Sequence, residues 1–203
     1  MAETSSSKEL TSIWTPANIV TCVRIVFIPV FMLFAGLPAG FLGLGATAKA
    51  AVAFVLYVSL SLTDKVDGSL ARSRGEITDF GKFLDPIADK LLVFSALLIL
   101  LDRGVVGVAP VFIILTREFL VSAMRMVAGA AGRVIAADNL GKWKTATTMV
   151  ALSGFLLWEA LGQTPAGVAV YWISSVCFIA AVALTVVSGV QYLVGAHDIV
   201  FKP

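Results

Sequence analysis

The stretch "LTDKVDGSLARSRGEITDFGKFLDPIADKLL", residues 62–92, places five aspartates and one glutamate between two apolar runs. The whole chain has 203 residues, of which 59% are hydrophobic and only 14% are charged. Soluble domains are usually about 45–50% apolar and about 25% charged. The composition therefore predicts an integral membrane protein, in which a dense group of carboxylates is costly and requires a physical reason.

Six apolar runs are candidates for membrane helices, because a bilayer core of about 30 Å requires roughly 20 apolar residues per helix. They cover residues 17–36, 48–71, 86–102, 105–129, 142–161 and 168–194. Runs of this length without polar alternation favour helices over the strands of a barrel. We therefore expect an all-α fold with six transmembrane helices, forming a single transmembrane domain over residues 1–203.

The distribution of basic residues predicts the orientation of these helices. The loops at 37–47 and 159–167 contain no lysine or arginine, whereas two other loop regions carry Arg72, Arg74, Lys82, Arg133, Lys142 and Lys144. By the positive-inside rule, the basic loops, both termini and the N-terminal segment 1–15 are expected to be cytoplasmic. Residues 3–13 are compatible either with a short amphipathic helix on the inner surface or with disorder. A net charge of +2 without a basic run gives no indication of nucleic-acid binding.

The spacing of four aspartates within the opening stretch is specific. Asp64 and Asp67 lie three residues apart at the end of the second predicted helix, and Asp85 and Asp89 lie four apart at the start of the third. Each pair thus occupies one helix face. A short connection makes the two helices antiparallel neighbours, so the four carboxylates can converge. Converging anions require cations, and oxygen ligands without His or Cys favour Mg²⁺ or Mn²⁺ over zinc.

Small and basic residues accompany the aspartates. Gly68 and Ala71 leave room for a bulky ligand on the face that carries the first pair, and Arg72 can meet a phosphate or pair with a carboxylate. Gly81 lies one turn before the second pair, where a side chain would crowd the same space. Pro86 is expected in the first turn of the third helix, a position that proline favours.

The pattern D-x2-D-G-x2-A-R-x8-G-x3-D-x3-D resembles the signature of the CDP-alcohol phosphotransferases, which are membrane enzymes of phospholipid synthesis. It is met without a gap at Asp64, Asp67, Gly68, Ala71, Arg72, Gly81, Asp85 and Asp89. The resemblance implies a six-helix membrane enzyme, usually a homodimer, with two Mg²⁺ ions. It also implies a location in the inner membrane of a bacterium, with the active site facing the cytoplasm.

The resemblance further assigns roles to individual residues. The four aspartates of the pattern would hold the metal ions, and Asp89 would also act as the general base. The donor would be a CDP-linked lipid, CDP-diacylglycerol, contacted by Asn18, Thr21, Asp64, Asp67, Gly68, Ala71, Arg72, Gly81 and Asp85. For Asn18 and Thr21 an alternative is open: a helix cap and an ordinary membrane threonine. We interpret Asp79, Glu76 and Arg74 as ordinary charged residues of the loop between the second and third helices.

A second polar stretch, "LTREFLVSAMRMVAGAAGRVIAADNLGKWKTATTMVAL" at residues 115–152, bears on the acceptor. Arginine in an apolar helix requires a partner, which could be Glu118, or Asp138 for a lysine. Alternatively, four cations form a pocket for a phosphate group on the acceptor, since guanidinium binds phosphate with a bidentate fork. We favour the pocket, formed by Arg117, Arg125, Lys142 and Lys144. We interpret Arg133 only as one of the basic residues that indicate a cytoplasmic loop.

An acceptor that carries its own phosphate excludes choline, ethanolamine and serine, and leaves glycerol 3-phosphate or an inositol phosphate. The segments "TREFLVSAMR" and "GKWKT" resemble the branch of the family that uses glycerol 3-phosphate and forms phosphatidylglycerophosphate with release of CMP. Phosphatidylglycerol is a further alternative acceptor. Thr148 and Lys65 depart from the residues common in this family, at positions that bear on fine substrate contacts and not on the chemistry.

Two other classes of protein are compatible with acidic residues in a helical membrane protein. A divalent-cation transporter would more naturally carry acids near the middle of the bilayer, together with internal symmetry or broken helices, and neither is visible in the sequence. An aspartate-rich prenyltransferase also uses magnesium and pyrophosphate, but it needs no Gly-x2-Ala-Arg element between paired acids. Both alternatives fit less well than a phosphatidyltransferase.

Overall fold

The computed structural model of the protein describes residues 14–38, 40, 43–74, 78–130 and 139–200, with the side chains of residues 64–74, 79, 82, 130 and 196–200 outside this description. The described residues form six α-helices and no strand, which confirms the all-α expectation. The helices are α1 (Pro16–Gly36), α2 (Ala46–Arg74), α3 (Asp79–Asp102), α4 (Val108–Ala130), α5 (Asn139–Leu161) and α6 (Pro165–Val200). The interfacial helix considered for residues 3–13 lies outside the described residues.

Side-chain caps determine where several helices begin, and they place these starts earlier than the apolar runs do. Thr78 accepts a hydrogen bond from the backbone N–H of Gly81 at 3.0 Å, so α3 begins at Asp79 rather than at residue 86. Pro86 consequently lies inside α3 and not in its first turn, where the sequence had placed it. Hydrophobicity alone misses these starts because a helix's first turns at a membrane edge are polar.

Three of the described helical segments are long and apolar enough to cross a membrane: Pro16–Gly36, Ala46–Thr63 and Pro165–Gly195. The 21 residues of α1 extend about 31 Å at 1.5 Å per residue, which matches the hydrocarbon thickness of a bilayer. Large apolar side chains also point outward, and those that are at least 64% exposed include Val26, Phe112, Trp172, Ile179 and Val194. Such a surface suits lipid rather than water, so the protein is an integral membrane protein.

The helix packing brings the polar ends of several helices together. Helix α1 contacts α2 and α3, α5 contacts α2 and α6, and α4 contacts α6. The shared core contains Phe31, Tyr57, Leu100 and Leu152, all fully buried. Close approach of α5 and α6 depends on Gly154, because a Cβ there would collide with the side chain of a serine on α6. The bundle thereby fixes the side chains of α1, α3, α4 and α5 that form the candidate site.

An ion pair connects helices at the end of the bundle that is far from the acidic stretch. Arg103, directly after α3, donates to the Glu159 carboxylate on α5 and to the carbonyl oxygen of Ala35 on α1. The turn continues through Gly104, whose φ of +69° is a left-handed conformation that favours glycine. A single guanidinium therefore links three helices at the end away from the acidic stretch.

Candidate active site

Three polar side chains of α1 contact the acidic face of α3. Asn18, Thr21 and Arg24 follow one another at intervals of three residues, and this spacing places them on one side of the helix. The Thr21 hydroxyl donates to Oδ1 of Asp85 at 2.9 Å, and Nη1 of Arg24 donates to Oδ1 of Asp89 at 3.2 Å. These bonds align both aspartates of α3 along the same groove between the two helices.

The two sides of this contact differ in burial. The side chains on α1 are almost completely buried, with Thr21 and Arg24 each 1% exposed, whereas the side chain of Asp89 is 44% exposed and Asp85 is also exposed. A buried guanidinium is costly unless a carboxylate compensates it, and Asp89 provides that charge. The result is a fixed, buried polar wall behind two accessible carboxylates.

Gly81 is required by the packing of Asn18 at the start of α3. The Nδ2 atom of Asn18 donates to the Thr78 hydroxyl oxygen at 2.7 Å, next to the cap that begins α3. A Cβ atom on Gly81 would lie 2.5 Å from Oδ1 of Asn18 and 3.2 Å from the Thr78 hydroxyl oxygen. The sequence predicted a glycine that keeps a ligand pocket open; the structure shows that it makes room for Asn18. Asn18 is not the cap of α1, since Thr15 has that position.

The other half of the predicted carboxylate site is on α2. The backbone of α2 is helical through Arg74, so Asp64, Asp67, Gly68, Ala71 and Arg72 are all on that helix. Their side chains lie outside the described residues. Among the side chains that are described, no three His, Cys, Asp or Glu residues lie close enough together to hold a metal ion. A binuclear site therefore requires the α2 pair in addition to Asp85 and Asp89.

The donor atoms on α3 suit a hard cation. The Thr21 hydroxyl donates to Oδ1 of Asp85, and the side chains of Asp85 and Asp89 are both accessible. Carboxylate oxygens are the preferred ligands of Mg²⁺ and Mn²⁺. The chemistry of this donor set thus fits the divalent ions that the sequence predicts.

A second polar cluster lies among α4, α5 and α6. Glu118 on α4 accepts a hydrogen bond from Nζ of Lys144 on α5, and its Oε1 atom is 3.2 Å from Nη1 of Arg117. Nη2 of Arg117 also donates to the Ser188 hydroxyl on α6 at 3.2 Å. Both cations are largely buried, with 14% and 8% of the Arg117 and Lys144 side chains exposed. The ion pair with Glu118, one of the two possibilities raised by the sequence, is therefore present.

The remaining two cations of the predicted acceptor pocket lie apart from this cluster. Arg125 donates through Nε to the Tyr192 hydroxyl at 3.0 Å, and its guanidinium carbon lies 5.5 Å from the centre of that ring. This is a cation–π contact with α6. Lys142 is exposed at the beginning of α5. The structure thus brings together Arg117 and Lys144, but gives Arg125 a different partner.

Comparison with known proteins decides which family contains this site. A family model described as CDP-alcohol phosphatidyltransferase matches residues 14–188. The chain belongs to the CDP-alcohol phosphatidyltransferase family. It is therefore an enzyme of this type, and the motif on α2 and α3 and the polar wall on α1 all fall within the matched residues.

Several curated relatives of this phosphatidyltransferase have the same name, CDP-diacylglycerol–glycerol-3-phosphate 3-phosphatidyltransferase. The protein from Bacillus subtilis is 40% identical over 181 residues, which cover 86% of this chain and 91% of the relative. The protein from Rickettsia felis is 34% identical and covers 86% and 91% of the two chains. The protein from Haemophilus influenzae is 33% identical, with 85% and 88% covered.

Arg24 is a residue of the candidate site that sequence reasoning missed. It lies in the apolar segment "TCVRIVF", three residues after Thr21, and it contacts the proposed base Asp89. Two signals could have found it: an arginine within a membrane helix requires an anionic partner, and the three-residue spacing continues the face of Asn18 and Thr21. Neither signal names the partner, because pairing of α1 with α3 is a property of the tertiary fold.

Proposed function

We propose that this enzyme transfers the phosphatidyl group of CDP-diacylglycerol to a hydroxyl of glycerol 3-phosphate, giving phosphatidylglycerophosphate and CMP. The observation that carries the proposal is the convergence of two buried cations, Arg117 of α4 and Lys144 of α5, on the Glu118 carboxylate. Buried cations of this kind suit an acceptor that carries a phosphate of its own. The shared name of the relatives supports the same acceptor.

The reaction is a displacement at the phosphorus atom that is bonded to the diacylglycerol oxygen. The acceptor hydroxyl forms the new P–O bond, the pyrophosphate P–O bond breaks, and CMP leaves with that electron pair. Asp89 accepts the proton of the attacking hydroxyl as general base. Arg24, buried behind Asp89, holds its carboxylate in position between α1 and α3.

Asp64, Asp67, Asp85 and Asp89 would together hold two divalent ions, Mg²⁺ or alternatively Mn²⁺. When bound, these ions neutralise charge that develops on the pyrophosphate as CMP leaves. Thr21 fixes Asp85 through its hydroxyl. Asn18, Gly68, Ala71 and Arg72 complete the side of the site assigned to the CDP-lipid, and Gly81 contributes by making room for Asn18.

The membrane arrangement proposed with this function has six spans, of which three are apolar enough to cross a membrane by composition alone. Both termini and the site face the cytoplasm, as the basic residues of the sequence predict, and the resemblance to the family implies the inner membrane of a bacterium. The lipid tails then enter from the inner leaflet, where the exposed apolar surfaces of the helices meet lipid. A homodimer is proposed on the resemblance to the family.

The test is release of CMP by the purified protein with CDP-diacylglycerol and Mg²⁺, measured with a panel of acceptors. Glycerol 3-phosphate is expected to give a kcat/KM at least about a hundredfold above that of glycerol, because glycerol leaves buried cations without a phosphate. Inositol phosphate and phosphatidylglycerol are compared in the same assay. Equal rates with glycerol and glycerol 3-phosphate, or a preference for another acceptor, would overturn the assignment.

A further inference from the structure

Lys90 lies between the aspartates of α3 and the polar cluster around Glu118. It directly follows Asp89 on α3, and consecutive helical residues point in directions about 100° apart. Asp89 therefore contacts Arg24 on α1, while the Lys90 ammonium donates to the Ser122 hydroxyl on α4. Ser122 in turn donates to the backbone carbonyl of Glu118 at 2.7 Å, which fixes its oxygen one turn from the ion pairs.

The charges around Glu118 do not balance within the described residues. Three cations act on this carboxylate: Lys144 and Arg117 by direct contact, and Lys90 through space. The neighbouring Asp89 is paired with Arg24 on α1, so within this cluster one carboxylate faces three cations and two positive charges are in excess. In addition, Nε of Arg117 is buried and has no hydrogen-bond partner in the described part of the chain. This nitrogen is a donor with which an oxygen of a bound phosphate can form a hydrogen bond.

A phosphate monoester fits this excess in charge and in chemistry. Its second pKa is about 6, so it carries close to two negative charges at neutral pH, and three of its oxygens accept hydrogen bonds. A neutral alcohol offers neither property. Lys90 is half-buried and thus available to an incoming ligand from the side of α3.

We propose that Lys90 is a third cation for the phosphate of the acceptor, acting with Arg117 and Lys144. The proposal rests on the proposed function and deepens it, since neither the motif nor the acceptor set predicted from sequence includes this residue. Because Lys90 is adjacent to Asp89, it fixes the phosphate of the acceptor relative to the base that receives the proton of the attacking hydroxyl. Ser122 is a positioning residue that holds the ammonium beside α4.

The test compares Lys90→Gln, Lys90→Arg and the control Lys49→Gln. Lys49 is a lysine at the opposite end of the bundle, where it donates to the backbone carbonyl of Leu37. Loss of a charge-assisted bond predicts a rise of at least about tenfold in the KM for glycerol 3-phosphate in Lys90→Gln. The KM for CDP-diacylglycerol is expected to stay within about twofold, Lys90→Arg to restore most of the affinity, and Lys49→Gln to match the wild type.

A binding measurement separates this proposal from the proposed function. Inorganic phosphate should raise the Tm of the wild-type protein, and raise it less in Lys90→Gln, whether or not transfer occurs. If inorganic phosphate raises the Tm only when Lys90 is present, but no CMP is released with glycerol 3-phosphate as acceptor, the proposed function is refuted and the phosphate site is retained. Product formation with an unchanged KM and unchanged phosphate protection in Lys90→Gln would refute the role of Lys90. If Lys90→Gln does not fold, Ser122→Ala tests the role of Lys90 instead. We expect this variant to raise the KM for glycerol 3-phosphate by a smaller factor, and an unchanged KM would refute the role.

Discussion

Replacing Gly81 with alanine tests whether the contact between α1 and α3 is as close as the structure shows. The new Cβ would lie 2.5 Å from Oδ1 of Asn18, a separation that real Cβ atoms essentially never have. Asn18 is 4% exposed and its amide is bonded to the Thr78 hydroxyl, so its side chain cannot turn away without losing that bond. The substitution therefore forces either a broken hydrogen bond or a displacement of α3.

The loss in the free energy of unfolding caused by Gly81→Ala can be worked out from these contacts. Overpacking of a close contact costs about 1–3 kcal/mol, and leaving a buried amide unpaired costs about the same. Alanine in a helix offsets at most about 1 kcal/mol of this. The expected net loss is about 2 kcal/mol, which lowers the Tm of a chain of this size by about 4–8 °C. Transfer should also slow, because Thr21 and Arg24 on the same face of α1 hold the two aspartates.

Thermal unfolding of the purified protein, read beside CMP release, measures both effects. Gly129→Ala is a matched control, since a Cβ at this position of α4 has no atom within 4 Å and should leave the Tm equal or higher. In an Asn18→Ala background the main obstacle is absent, so Gly81→Ala should cost much less there. A wild-type Tm for Gly81→Ala, or an equal loss in both backgrounds, would show that the contact is not the cause.

Three further predictions concern the two ends of the bundle. Asp89→Asn should lower kcat by about 10²–10⁴-fold while nucleotide binding remains measurable, and wild-type turnover would remove Asp89 from the mechanism. Arg117→Ala should raise the KM for glycerol 3-phosphate more than Arg125→Ala does, because Arg125 is bonded to a tyrosine outside the Glu118 cluster; a change in the KM for the CDP-lipid instead would contradict the pocket. Glu159→Gln should lower the Tm with both KM values unchanged, since it breaks only the distant ion pair with Arg103.

Much of the fold could be predicted from composition and periodicity. Six helices were expected from six apolar runs, and six are present in the described residues, because lipid permits few other arrangements of a buried backbone. The helix starts could not be obtained from the same signal. The start of α3 depends on the Thr78 cap, whose bond to Gly81 belongs to the polar stretch that an apolar-run prediction leaves out.

The candidate site divides in a similar way. The motif indicated Asp85 and Asp89 and the family that contains them, since eight fixed positions are highly specific. It did not indicate Arg24 or Lys90, which contact partners 65 and 32 residues away in the chain. The grouping of the proposed acceptor cations also required the structure, because sequence spacing alone placed Arg125 with Arg117 and gave no reason to separate them.

Hydrophobicity and motif spacing are local properties that a linear chain already displays, and they are enough to identify a helical membrane enzyme of the CDP-alcohol phosphatidyltransferase family. Which charge compensates which depends on how the helices pack. Asp89 lies against Arg24 because α1 packs on α3, and Glu118 of α4 accepts a hydrogen bond from Lys144 of α5, 26 residues further along the chain. Electrostatic interactions act over a few ångströms in space, and no pattern along the chain specifies those distances.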